Sequence, residues 1–205
     1  MNYDSLAPYE TVTKVVNALK AKGYEAFVVE NGSQALNKIK DLIPKGASVM
    51  NGASATLEKI GYPEYLESGK HKWVDLHAKV TAENDREKRA KLRRESALSE
   101  FYLGSVHALI ENGEFIVASN TGSQLPHIVY TSPNLLFVVS TKKIVPTLDA
   151  AMNRLTNHVF PLENKFMLEH YKVGTNINKI IIFKGELPTS GRKITFILVN
   201  ENLGY

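Results

Sequence analysis

Apolar positions along this 205-residue chain recur at two spacings, and the alternation between them already outlines a fold. From Thr11 to Lys22, the residues Val12, Val15, Val16 and Leu19 fall on one helical face, and Gly23 is placed to close the helix. Ala26-Phe27-Val28-Val29 reads as a short buried strand. After the Gly32-Ser33 break, with Ser33 as a plausible N-cap, Gln34 to Ile43 predicts a helix with Ala35, Leu36, Ile39 and Ile43 facing inward, ended by Pro44 and Gly46. The unit repeats: Ala47 to Met50 predicts a strand, NGASA a turn, and Thr56 to Ile60 a short helix before Gly61 and Pro63. Strands alternating with helices at this interval predict βαβ units, hence an α/β fold with a mainly parallel sheet flanked by helices.

The stretch from Thr81 to Tyr102 departs from this rhythm. It predicts one long charged helix, with Asp85/Arg89 and Glu87/Lys91 at i,i+4 and a thin apolar line through Ala90, Ala97, Leu98 and Phe101. Val106 to Ile110 and Glu114 to Ala118 flank Asn112-Gly113, a strong hairpin signal, so an antiparallel pair is inserted next. SNTGSQL forms a second small-residue loop leading toward a helix. Leu135 to Ser140 returns to a buried strand and Leu148 to Leu155 to a helix, and two last strands, Lys179 to Phe183 and Ile194 to Val199, enclose the turn LPTSGR. The length suits one α/β domain over residues 1–205, without internal repeat or flexible linker.

Composition narrows the function classes. Apolar residues make up 43% and charged residues 22%, close to the ~45–50% and ~25% of globular chains, so a core can form and a disordered or collagen-like chain is excluded. The absence of cysteine excludes disulfides, thiolate zinc sites, cysteine-ligated iron–sulfur clusters and cysteine nucleophiles. The start, MNYDSLAPYE, has no basic region followed by an apolar stretch, and the runs LLFVV and FILV fall far short of the ~20 residues of a spanning helix. The expectation is a soluble cytoplasmic protein with no membrane partner. Of the formal charge of +4, an excess of three comes from Lys79 to Glu95, where Lys79, Arg86, Lys88, Arg89, Lys91, Arg93 and Arg94 outnumber Glu83, Asp85, Glu87 and Glu95. That segment lacks interleaved aromatics or a docking motif, so no nucleic-acid partner is expected.

The most informative string for chemistry is NGASATLEKIG, where a strand runs into Asn51, Gly52, Ser54 and Thr56 and then into a helix. Such a turn offers N–H groups, hydroxyls and a positive helix end to an anion, or else Ser54 simply caps the helix. Asn120, Thr121, Gly122, Ser123 and Gln124 form a loop of like composition, and two such loops in an open sheet can face one crevice at the carboxyl ends of the strands. Lys142 and Lys143 follow another strand, either to meet a phosphate or carboxylate or as solvated lysines at a helix entrance. His107 and His127 near that crevice are candidate acid–base groups, and Glu100 a candidate general base or a mere surface charge. HKWVDLH sets His71, Asp75 and His77 on one strand face, but without a paired HxxxH or HExxH pattern no metal is expected. GxSxG, Walker and GxGxxG motifs are absent, against a serine hydrolase, a P-loop NTPase and a standard dinucleotide fold.

Strings spread along nearly the whole chain resemble the lactate-utilization (LUD) domain family, of the small cluster-free subunit type: ALKAKGYEAFVVENGSQAL, IPKGASVMNGASATLEKIG, SALSEFYLGSVHALIENGEF, TKKIVPTLDAAMNRL and GRKITFILVNENLGY, in that order. The resemblance implies a fold similar to the superfamily of sugar-phosphate isomerases, glucosamine-phosphate deaminases and coenzyme-A transferases, with ligands at the strand ends. It implies site positions at Gly52, Ser54, Thr56, Leu57, Glu58, Glu100, Gly122 and Lys143. It also implies an accessory role in oxidising lactate or a related 2-hydroxy acid, with a small anionic metabolite as ligand. Larger relatives append a cysteine-rich segment with iron–sulfur clusters, so in this cysteine-free chain no cofactor is expected and clusters belong to partner subunits. In a catalytic version, the Gly52–Thr56 loop holds the anion, Lys143 neutralises it, and Glu100 or His107 moves a proton. The alternatives are a non-catalytic interaction module docking through the basic helix, and, on fold analogy alone, a sugar-phosphate isomerase or coenzyme-A-transferase-like enzyme.

Overall fold

A computed structural model describes residues 2–205. Helix α1 (Tyr9–Ala21) buries Val12, Val15 and Leu19 along one stripe, and Gly23, at φ +80°, turns the chain out of it into β1 (Glu25–Val29). Helix α2 (Gly32–Leu42) is capped by Asn31, whose side chain accepts from the Gln34 N–H at 3.0 Å. Asn31 has the extended backbone an N-cap needs, whereas Ser33, the expected cap, lies inside the first turn. The chain continues through β2 (Ser48–Asn51), α3 (Ala55–Lys59), α4 (Tyr62–Glu67), β3 (Val74–Asp75) and α5 (Leu76–Ala82).

The long charged helix expected over Thr81 to Tyr102 is broken. Glu83 leaves the helical region, and Asp85 caps a new helix, α6 (Arg86–Glu95), by accepting from the Glu87 and Lys88 N–H groups. A 3-10 turn (Ser96–Leu98) follows, and Phe101 and Tyr102 already belong to β4 (Phe101–Gly104). Neither Asp85–Arg89 nor Glu87–Lys91 is among the ion pairs of the described residues; Lys91 meets Glu95 instead. Asp85 is committed to the cap, where two N–H groups outweigh an exposed ion pair.

The rest comprises β5 (Ala108–Ile110), β6 (Phe115–Ser119), β7 (Asn134–Ser140), β8 (Ile144–Val145), α7 (Leu148–Arg154), α8 (Phe160–Tyr171), β9 (Lys179–Phe183) and β10 (Lys193–Val199). Six parallel strands form one sheet in the order β1-β10-β7-β4-β2-β3. Its centre is β7 against β10, paired from Asn134↔Lys193 to Ser140↔Val199. The predicted hairpin forms as β5 and β6, with Gly113 at φ +81°, but belongs to a second sheet, β8-β5-β6-β9, that the hydrophobic pattern did not announce.

Alternation along β7 and β10 makes the layers. Leu135, Phe137, Phe196 and Leu198 face α1 and the second sheet, while Leu136, Val138, Ile197 and Val199 face α2 and α3. Strand β6 is buried on both faces: Phe115 and Val117 join the first layer, and Ile116 and Ala118 pack on Ala151 and Leu155 from the α7 side. Each fully buried side chain of this kind contributes about 1.5–3 kcal/mol. Strand β1 is a sheet edge and half open, with Val28 47% exposed, so it is not the buried strand its composition suggests.

Candidate functional site

A cleft of about 340 Å³ lies where the carboxyl ends of the parallel strands meet the second sheet. Three connections reach it from the parallel sheet: Gly52–Thr56 after β2, Ser105–His107 after β4, and Lys143 in the 3-10 turn after β7. The end of β6 adds Ser119, Asn120, Thr121, Ser123 and Gln124. The far wall is apolar, built by Leu155, Val159, Phe160, Met167 and Ile177, with Glu163 and Tyr205 at its polar end. This is the crevice position expected of ligand sites in parallel α/β sheets.

Lys143 is the basic side chain of the cleft. Its Nζ lies 2.8 Å from Thr56 Oγ1, 3.1 Å from Ser105 Oγ and 3.4 Å from the Val106 carbonyl, and no carboxylate pairs with it among the described residues. The residue is 4% exposed. Burial, followed by the nearby charges of Arg154 and Lys142, holds its ammonium well below the usual lysine range. Because both hydroxyls can donate or accept, they satisfy either the ammonium or the free amine.

His107 is fixed rather than poised. Its Nδ1 accepts the Ala118 N–H at 3.1 Å, so the neutral ring carries its proton on Nε2. Burial, then the charges of Lys143 and Arg154, lower its pKa from 6.5 to about 3. At neutral pH it is a hydrogen-bond donor and not the proton shuttle expected from its position. Arg154 underlies it: the guanidinium is fully buried, its Nη1 donates to the His107 carbonyl, and its Nε and Nη2 find no partner among the described residues. Across the cleft, burial raises the Glu163 carboxyl, partly offset by the Tyr205 phenol.

Two close approaches shape the walls. A Cβ at Gly52 would lie 2.7 Å from the Tyr102 hydroxyl and 2.9 Å from Gln124 Oε1, two groups that hydrogen-bond to each other at 3.1 Å. Gly204, at φ +66°, lies so close to Thr56 that a Cβ there would overlap its Oγ1; only glycine brings the segment after β10 against the first loop. Ser54 accepts from the Leu57 N–H at 3.3 Å and caps α3, so its capping role is realised, and α3 is only five residues long.

The expected site residues divide. The structure brings Gly52, Ser54, Thr56, His107, Asn120, Thr121, Ser123, Gln124 and Lys143 to the cleft. Glu100 is not among them. It precedes β4, at the amino ends of the strands, where its carboxylate accepts from the Ser48 N–H and hydroxyl at 2.7 and 3.0 Å. Four residues of strand, roughly 13 Å, separate it from the Ser105 end, so it cannot serve as a base there. Lys142 turns away from its neighbour to Asp4 Oδ1 at 3.0 Å and Asn202 Oδ1 at 2.6 Å. Asn51 is buried at the end of β2, Gly122 makes the left-handed turn of its loop at φ +87°, and neither lines the cleft. Leu57 is core, and Glu58 does not line the cleft.

His127 is enclosed with Ser99 and Ser132, its Nδ1 at 3.1 and 3.0 Å from their hydroxyls, and its ring stacks on Tyr102 at 4.6 Å. His71, Asp75 and His77 do not share a strand face: Asp75 caps α5, and His77 lies on that helix with Nδ1 3.3 Å from the Asn51 carbonyl. Among the described residues no group of histidine and carboxylate ligands could hold a metal. Sequence reasoning missed Ser105, Glu163 and the apolar wall. Ser105 was legible as a small polar residue directly after a buried strand; the part of the wall from α8, Phe160 and Met167, was not, because that helix buries no residue and carries no amphipathic stripe to predict it.

The LUD domain family model matches residues 12–181. No curated protein matches the chain. A solved structure of a DUF162 family protein from Deinococcus radiodurans is similar in fold, with a TM-score of 0.54 over 95% of this chain and 99% of that one, at 12% identity. Motifs in the expected order, a parallel α/β sheet and a family match over most of its length agree: the chain belongs to the LUD domain family.

Proposed function

We propose that the cleft binds a small anionic metabolite, and that the protein is an accessory subunit in the oxidation of lactate or a related 2-hydroxy acid. The observation that carries this reading is Lys143, a buried amine that takes up a proton when an anion binds beside it; it has no carboxylate partner among the described residues and is set among Thr56, Ser105 and the neutral His107. A bound carboxylate or phosphate supplies the missing countercharge, and hydrogen bonds to a charged group contribute about 1.5–3 kcal/mol. Membership of the LUD domain family supports a role related to lactate utilization. This cysteine-free sequence cannot ligate an iron–sulfur cluster through thiolates, so iron–sulfur subunits are the partners proposed to take the electrons of such an oxidation.

Thermal shift of the pure protein against lactate, other hydroxy and keto acids, sugar phosphates, nucleotides and coenzyme A tests the binding. A ligand at about 100 times its Kd adds ~2.7 kcal/mol. The expected result is a rise in Tm with one anionic class, suppressed in Lys143→Met; the absence of any shift overturns the reading. One observation favours a second reading as an interaction module. Helix α6 buries none of its residues and presents Arg86, Lys88, Lys91, Arg93 and Arg94 to solvent, with Arg89 half-buried beside them. Charge reversal at Arg89 and Arg93 should then abolish capture of an acidic partner while leaving ligand binding unchanged.

A further inference from the structure

We propose that Lys143 is a covalent site: its Nζ, set in the wall of the cleft between two hydroxyls, condenses with the carbonyl carbon of a small aldehyde or ketone acid to form an imine. The inference rests on the reading of the cleft as an anion site and adds a chemical class to it. Four features of the structure bear on it.

The amine is held in place by Thr56 Oγ1, Ser105 Oγ and the Val106 carbonyl rather than by a carboxylate, so no ion pair must be broken to free its lone pair. The charged groups that act on it are cations, Arg154 from α7 and Lys142 from its own turn, with neutral His107 on the side of β5. Burial among cations favours the unprotonated amine, which is how lysine becomes a nucleophile near neutral pH. The remaining cleft, about 340 Å³, holds an acid of a few carbons with room to spare. Polar groups around Lys143 can receive its acid group: the His107 ring donates through Nε2, and Ser119, Asn120 and Gln124 line the adjoining wall.

The step balances without any redox partner. The lone pair of the amine adds to the carbonyl carbon, the nitrogen loses one proton and the oxygen gains one, giving a carbinolamine. Its hydroxyl then leaves as water with a second proton from nitrogen, and the carbon–nitrogen double bond forms. The Thr56 and Ser105 hydroxyls, which reverse their hydrogen bonds as Nζ changes state, are placed to pass these protons.

The test is reductive trapping on the full chain. The protein is incubated at neutral pH with glyoxylate or pyruvate and cyanoborohydride, which reduces an imine to a stable secondary amine, and the adduct is mapped by peptide mass. The expected result is one adduct, on Lys143, formed well ahead of any on exposed lysines such as Lys91 and Lys165, whose ammonium groups are paired with Glu95 and Glu169. Lys143→Arg, which keeps a cation, should lose it. Ser105→Ala keeps the amine and should slow labelling, so the result does not depend on one variant folding. Saturating lactate, which has no carbonyl carbon to attack, should protect Lys143. Labelling spread over surface lysines, or none on Lys143, overturns the proposal. If lactate or another acid still raises Tm in that case, the anion-binding reading stands without it; if neither adduct nor shift is seen, both fall.

Discussion

Lys142 and Lys143 are adjacent, similar in burial and opposite in fate, and the difference lies in which acceptors each Nζ meets. Lys142 is neutralised by Asp4 and held by Asn202, whereas Lys143 has only hydroxyl and carbonyl oxygens. Lys143→Met should therefore weaken anion binding at least about tenfold, the loss of a charged hydrogen bond, while Lys142→Met should leave it within a few-fold; isothermal titration distinguishes the two. Gly52→Ala forces a methyl between the Tyr102 hydroxyl and Gln124. Overpacking of this kind costs about 1–3 kcal/mol, so the chemical-denaturation midpoint should drop and the ligand-induced Tm shift should shrink with it. The pattern of small polar residues after strands pointed to both positions, but it could not tell the two lysines apart, because a side chain's partner 138 residues away is invisible in local sequence.

Helix α6, like α8, buries none of its residues, and its first turn is held by Asp85. Asp85→Ala should remove about 1 kcal/mol from that helix, and because little packs on it, hydrogen exchange over 86–95 should accelerate while global Tm hardly moves. A matching fall in Tm would mean that α6 is coupled to the core. The break before α6 escapes the charge pattern because the i,i+4 pairs of opposite sign run across it, although Asn84 and Asp85 are poor helix formers and Asp85 serves the backbone better as a cap than as an ion-pair partner. Strands β7 and β10 were read almost residue for residue, since uninterrupted apolar runs of this length belong to the middle of a sheet. Helix α8 was missed because it carries its apolar residues on no single face, yet with Phe160, Glu163 and Met167 it builds one side of the cleft.

At the scale of the molecule, neutral buried histidines tie stability to pH. His107 and His127 have folded pKa values lowered from 6.5 to about 3 and about 4, both chiefly by burial. Between those values and 6.5 the unfolded chain binds more protons than the folded one, so stability is full above about pH 6.5 and falls as pH drops toward 4. Tm measured from pH 7.5 to 4 should decline through that window, and His127→Asn should flatten the decline; an unchanged slope would remove His127 from the account. The parallel α/β architecture, the hairpin at Asn112-Gly113 and the two polar loops are legible in the chain's own pattern, because hydrophobic period and turn chemistry are local properties. Which ends of the strands those loops share was set by the folded arrangement. It put Glu100 at the amino ends of the strands, laid a second sheet over the crevice, and left the Lys143 amine there without a carboxylate. These outcomes depend on strand order, direction and long-range packing, and neighbouring residues carry no record of them.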